Sequence, residues 1–225
     1  VLEISLQQKI KTIKVSMLFF KRRPSGDSLQ ATSHAPILHE DEGYLTGQLL
    51  IATPQLNEPP FQQAVIYLFT HSDDGAMGVV INQPSEHIHY SALMADEDRA
   101  HVSSDHDVTL YAGGPVDRVR GFVLHSDDYH NEQVIFSDNG VSISANTNIL
   151  RDIVDAKGPS QTLLAVGYAG WSAGQLEREI EENSWITVPA SPELIFNADD
   201  AHKWALASQS IGIDMHFLSP VAGHA

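Results

Sequence analysis

The chain has 225 residues, 42% of them hydrophobic and 19% charged, which suits one domain with a sizeable core. It has no cysteine, so disulfides, thiolate metal sites and a cysteine nucleophile are excluded. The net charge is −16.

That charge is unevenly spread. Lys9, Lys11, Lys14, Lys21, Arg22 and Arg23 are six of the 13 basic residues, and Glu3 is the only acid among residues 1–23. The rest of the chain therefore carries 7 basic and 28 acidic side chains, a balance of −21. Such a body repels a phosphate backbone, so direct nucleic-acid binding is expected only through the basic N-terminal segment. No apolar run approaches the roughly 18–20 residues of a membrane-spanning helix. Val15 to Phe20 is too short for a signal-peptide core, and its basic run, Lys21-Arg22-Arg23, follows it. A soluble, cytoplasmic protein is the expectation.

Residues 1–43 lack apolar periodicity in their second half and read as a tail or linker. The domain is expected over 44–225. Leu49 to Ala52 predicts a buried strand ending at Pro54. Ala64 to Phe69 and Met77 to Ile81 predict a hairpin across Asp73-Asp74-Gly75. Tyr90 to Asp98 predicts a short helix. Val108 to Tyr111 and Gly121 to Leu124 predict strands separated by Gly113-Gly114-Pro115. Asp138-Asn139-Gly140 predicts a tight hairpin turn between Val134–Phe136 and Val141–Ile143. Asn148 is read as the cap of a helix through Ala156, stopped by Gly158-Pro159. Thr162 to Val166 predicts a strand, followed by a glycine-rich turn over Gly167 to Trp171. Ala173 to Glu182 predicts a helix with Leu176 and Ile180 inward and Glu177 and Glu181 outward. Trp185 to Val188 predicts a strand, and Asp199 to Ser210 a last helix stopped by Gly212. Hairpins dominate and helices come late, so an α+β domain is expected rather than a doubly wound sheet.

Several residues point to chemistry. Gly170-Trp171-Ser172-Ala173-Gly174 spells G-x-S-x-G, the pattern of a nucleophile elbow. Five residues separate Val166 from Ser172, and only 53 residues follow it, too few for separate acid and histidine loops. The plainer reading makes Ser172 a helix-start residue near free N–H groups. His71-Ser72-Asp73-Asp74 is echoed by His125-Ser126-Asp127-Asp128, each after a strand. His71 and His125 are therefore candidate metal ligands; the plainer reading packs each at a strand end. Gln175 and Glu179 share a helical face. With Asn82, Trp171 and the two histidines they define a candidate ligand pocket. There is no nucleotide-binding fingerprint, and no cofactor is expected. His87, His89, His101, His106 and His130 are read as solvent-facing loop residues.

These segments together resemble the YqgE/AlgH family of bacterial proteins. The resemblance is carried by Leu45 to Pro54, and by His71 with Gly75 to Pro84. Gly113-Gly114-Pro115-Val116, Arg120 to His125, and Gly167 to Trp171 carry it further. Gly174 to Glu177, Glu179-Ile180, Asn183, Trp185 and the closing Pro220 to Ala225 complete it. It covers about residues 44–225. It implies a single α+β domain with a bent, split, mostly antiparallel sheet closing into a pseudo-barrel, flanked by a few helices. It implies no known reaction, since members are described as uncharacterised proteins or as transcriptional regulators. The functional surface it implies comprises His71, Asn82, Gly113, Gly114, His125, Trp171, Gln175 and Glu179. The expected role is a non-enzymatic regulatory or binding protein acting through a protein partner or small ligand. The alternatives are a hydrolase, metal-assisted at His71 and His125 or based on Ser172, and a DNA-binding regulator using the basic N-terminal segment.

Overall fold

The computed structural model describes residues 44–93, 107–130 and 134–213. The basic N-terminal segment, His101, His106 and the closing Pro220 to Ala225 lie outside the described residues. Ten strands form one sheet: β1 (Gln48–Ala52), β2 (Val65–Ser72), β3 (Gly75–Val80), β4 (Pro84–His89), β5 (Asp107–Ala112), β6 (Val116–Ser126), β7 (Val134–Asp138), β8 (Val141–Ser144), β9 (Thr162–Ser172) and β10 (Trp185–Pro189). Among the described residues four α-helices accompany them: α1 (Tyr90–Leu93), α2 (Asn148–Val154), α3 (Gln175–Glu181) and α4 (Asp200–Ser210), with a π-helical turn at Glu193–Asn197. Among the described residues no helix is long and apolar enough to cross a membrane.

The strand order is β10-β1-β2-β3-β9-β6-β8-β7, with β4 and β5 branching from β9. Every pairing is antiparallel except β5 with β9. The sheet curls into a half-barrel, bringing Phe136 and Asp138 of β7 against Gly47 before β1. Leu49, Ile51, Tyr67, Val79, Phe122, Leu124, Ile143 and Ala165 fill the concave side, with Trp204 and Ala207 of α4. Each of the valine, leucine, isoleucine and phenylalanine side chains among them contributes roughly 1.5–3 kcal/mol when fully buried. The convex side is covered in two places. Leu50, Ile66, Ala76 and Trp171 pack beneath Leu176 of α3. Val123, Leu164 and Leu110 pack beneath Ile149 and Leu150 of α2.

β9 is the organising strand, and it runs to Ser172 rather than stopping at Val166. Gly167 to Trp171 is therefore strand and not the expected turn. Val166 pairs with Ala112 of β5 on one edge and Gly121 of β6 on the other. The link Gly113-Gly114-Pro115 must accordingly cross over β9. It does so at Gly167. A Cβ at Gly114, whose φ is +152°, would lie 2.2 Å from the Tyr168 carbonyl carbon. One at Gly167 would lie 2.5 Å from the Gly114 oxygen. Two backbones touch here without intervening side chains, which only glycine permits. The Gly113 carbonyl accepts from Val80 N–H at 2.8 Å, and its own N–H donates to Val166 O at 2.8 Å. β3 and β5 thus share one edge of β9, split at this crossing.

The turn Asp138-Asn139-Gly140 is as expected, with φ of 48° at Asn139 and 83° at Gly140. Pro84–His89, read as loop, is a strand, so His87 and His89 stand exposed on β4. Its alternation is weak because only Ile88 is buried. Asn148 is the first residue of α2 and not its cap. Asn146 Oδ1 accepts from the Asn148 and Ile149 N–H groups at 3.0 and 3.3 Å.

Gly114→Ala is expected to lower unfolding free energy by about 3 kcal/mol or more, because neither backbone can retreat. Gly212→Ala meets nothing within 4 Å at a φ of +75°, and should cost only about 1–2 kcal/mol. Urea denaturation of both variants checks the difference.

Candidate functional site

Four of the eight expected site residues assemble at the end of β9 beneath α3. Their placement begins with a bulge. Leu68 pairs with Gly78 and Thr70 with Met77, leaving Phe69 as an extra residue in β2. Without it His71 would follow Val65, Tyr67 and Phe69 onto the concave side. The bulge instead puts His71 in register with Ala76 and Trp171, on the convex side.

His71 is buried, and both ring nitrogens are used. Leu45 N–H donates to Nδ1 at 2.9 Å, so the proton sits on Nε2 and is donated to Glu177 Oε1 at 2.7 Å. Tyr44 packs its ring edge-on at 5.3 Å. The Glu177 carboxyl is held below the usual range, first by hydrogen bonding to its own backbone amide and then by His71. Glu177, read from the sequence as merely outward, is therefore half of a tie between α3 and β2. Nothing local in the sequence named its partner, 106 residues away.

Glu179 makes the second tie. Its Oε2 accepts from the indole N–H groups of Trp171 and Trp185, each at 2.8 Å, and its Oε1 accepts from Gln175 Nε2 at 2.9 Å. The two indoles meet edge to face at 5.9 Å. Gln175 Oε1 accepts from Ser172 N–H at 3.0 Å. Ser172 thus ends β9 and does not start the helix, which is preceded by Gly174 at a φ of +67°.

The other expected residues lie elsewhere. Asn82 Oδ1 accepts from Val65 N–H at 2.9 Å and its Nδ2 donates to Gln63 O at 2.8 Å, bracing the start of β2. Gly113 and Gly114 form the crossing over β9. His125 pairs with Thr162, nine residues along β9 from Trp171, which puts it about 30 Å from the His71 end. The two histidines therefore cannot ligate one metal. His125 is fully buried, donating from Nδ1 to Ser126 O at 2.9 Å and accepting at Nε2 from the Ser144 hydroxyl at 3.1 Å. Burial pushes its pKa down from 6.5. Among the described residues no group of three or more His, Asp or Glu is placed to hold a metal ion.

Opposite the α3 side lies a groove of about 430 Å³. Registered partners share a face, so Thr70, Met77 and Gly170 line it together, as do Ser72, Gly75 and Ser172. Asp74, Ala76, Val116, Tyr168 and Trp171 complete its walls. Ser172 consequently faces away from His71, with the sheet between them.

One constellation had no sequence signal beyond the spacing of Asp200 and Lys203. Lys203 Nζ is buried, donating to Ile81 O at 3.0 Å and Asp200 Oδ1 at 2.7 Å. Tyr111 O–H donates to Asp200 Oδ2 at 2.8 Å, and burial with this bond pushes the phenol pKa up. With Trp204 N–H donating to Ala52 O at 2.7 Å, these bonds seat α4 in the half-barrel.

The AlgH-like family model (DUF179) matches residues 49–216. The chain belongs to the AlgH-like family. It is 45% identical over 189 residues to a UPF0301 protein of Mesorhizobium japonicum, covering 81% of this chain and 94% of that one. It is 47% identical over 183 residues to a UPF0301 protein of Jannaschia sp., covering 80% and 95%. The solution structure of the AlgH protein from Pseudomonas aeruginosa superposes with a TM-score of 0.63 at 33% identity, over 84% of this chain and 100% of that one. A Corynebacterium diphtheriae protein shares the fold at a TM-score of 0.59 and 20% identity, covering 87% and 93%. The fold is thus shared with these two solved structures.

Glu179→Gln should destabilise by about 2 kcal/mol, because an amide cannot accept from both indoles and Gln175. Glu177→Gln, half exposed, should cost under about 1 kcal/mol. Tryptophan fluorescence during urea unfolding separates the two. For His125 the folded pKa lies below the unfolded 6.5, so the unfolded chain takes the proton first. Its contribution to stability is complete above about pH 6.5 and is lost as the pH falls towards the folded pKa. Stability measured against pH should show this loss, and His125→Gln should remove that share of the slope.

Proposed function

We propose that this AlgH-like chain is a cytoplasmic, non-catalytic binding protein whose ligand-facing surface is the groove over Thr70, Met77 and Gly170. The α3 cluster of His71, Trp171, Gln175, Glu177 and Glu179 is its frame. The observation that carries this reading is the separation of the two faces. The groove is lined by the Thr70, Ser72, Tyr168 and Ser172 hydroxyls with apolar Met77 and Val116. Its lining includes no imidazole or amine, and among the described residues its one carboxylate, Asp74, makes no hydrogen bond to Ser172. A mixed apolar and hydroxyl-bearing concavity of this size suits a small ligand. Covalent chemistry at a serine needs a base in hydrogen-bond reach. His71 is committed to Leu45 and Glu177 on the other face.

A regulatory role would run through whatever occupies this groove. The −21 balance of residues 24–225 opposes direct contact with a nucleic-acid backbone.

A ligand-observed NMR screen of small polar fragments against the full chain tests the reading. Bound fragments should lose affinity at least about tenfold, or about 1.4 kcal/mol, in Thr70→Trp, which fills the groove. A fluorophosphonate probe should leave Ser172 unlabelled on the folded chain. Labelling of Ser172, or fragment binding indifferent to Thr70→Trp, would reject it.

A further inference from the structure

We propose that the groove is a site for a small organic cation: an amine whose ammonium sits on Asp74 and whose carbon skeleton lies against Met77, Val116 and Tyr168. This rests on the groove being the ligand-facing surface. The residues lining it are neutral but for one. Asp74 is the one residue in that set with a formal charge. The groove therefore presents a single carboxylate with no lining cation to neutralise it.

The backbone that carries this carboxylate is held in place. Asp74 N–H donates to Ser72 Oγ at 3.3 Å within the β2–β3 turn. The next residue, Gly75, has a φ of +127° and its α-carbon faces the Trp171 carbonyl, where a Cβ would come within 2.2 Å. The turn is thereby pressed onto β9, and Asp74 stands at the groove margin. The Ser72, Thr70 and Ser172 hydroxyls offer acceptors for the remaining ammonium hydrogens.

The opposite wall is apolar and aromatic. Val116 is 39% exposed, one of two large hydrophobic side chains this open among the described residues. The Tyr168 ring lies over Gly170, since a Cβ there would meet ring carbons at 3.3 and 3.7 Å. That ring is held edge-on against Phe122 at 6.1 Å. On the neighbouring strand Arg120 is turned onto the Phe122 ring, 5.2 Å from its centroid, and does not line the groove. A carboxylate facing an aromatic and aliphatic wall selects an organic ammonium: the charge finds its counter-charge and the skeleton finds apolar contact. An anion of the same shape meets Asp74 and the −16 field of the chain.

Three probes of similar size decide it: phenethylamine, 2-phenylethanol and phenylacetate, titrated into the full chain and followed by amide NMR shifts. Phenethylamine should move the Gly75, Gly170 and Ser172 signals and bind at least about tenfold tighter than 2-phenylethanol, with an affinity that falls as salt rises. Asp74→Asn should bring the two affinities together while leaving the alcohol unchanged. Equal binding of amine and alcohol, or tighter binding of phenylacetate, would overturn the cation assignment and leave the groove as a binding surface. Failure of all three probes to move those signals would overturn both.

Discussion

The crossing of Gly113-Gly114-Pro115 over β9 at Gly167 is the constraint on which the architecture depends. β9 is long, and both of its edges are occupied. On one edge β3 and β5 must follow each other without a side chain to separate them from the crossing backbone. On the other edge β6 begins as soon as the crossing is complete. Contact between two main chains at the distances found here leaves no room for a Cβ. Because the link is short, β5 and β6 are pinned to opposite edges of β9 at Val166, within a sheet that bends into a half-barrel. The concave core, the seat of α4 and the two covered patches on the convex side all follow from that bend.

A second constraint works at the far end of β9. The extra residue at Phe69 turns His71 away from the concave core and under α3. A seven-residue helix has little intrinsic stability. It is held instead by Leu176 in the core below it and by three polar ties, from Glu177, Glu179 and Gln175. The ties to His71 and the two tryptophans use charged or partly buried partners, so each is stronger than an exposed pair. Together they clamp β2, β9 and β10 from one side.

This clamp gives the groove its rigidity. The groove uses the other face of the same residues' strands, so the positions of Thr70, Ser72, Gly170 and Ser172 are set by bonds made behind them. Polar residues that looked like a reactive group are thereby divided. His71, Gln175, Glu177 and Glu179 serve the frame, while the hydroxyl-bearing Thr70, Ser72 and Ser172 and the carboxylate of Asp74 belong to the groove. A binding surface of this kind needs shape and a few fixed polar atoms, and the frame supplies both without chemistry of its own.

Much of the strand order in the chain was legible locally. Apolar runs marked β1, β2, β3 and β9, and Asp138-Asn139-Gly140 marked its hairpin, because a tight turn needs residues that tolerate positive φ. The pattern at Asp199 and Gly212 marked α4. β4 was missed because one buried residue, Ile88, is too little alternation to register. The glycines after Val166 were misread as a turn. A glycine placed for turning and a glycine placed for close approach look alike until the partner strand is known. Sequence also picked out His71, Trp171, Gln175 and Glu179, since polar and aromatic residues in a glycine-rich frame are conspicuous. It could not say that Glu177 would meet His71, nor that His125 would lie about 30 Å away. The sequence by itself determined most of the strands and the tight hairpin turn, because those depend on neighbours in the chain. Only the tertiary structure decided which face each side chain serves, because one extra residue in β2 and one crossing over β9 set the register between segments far apart in sequence.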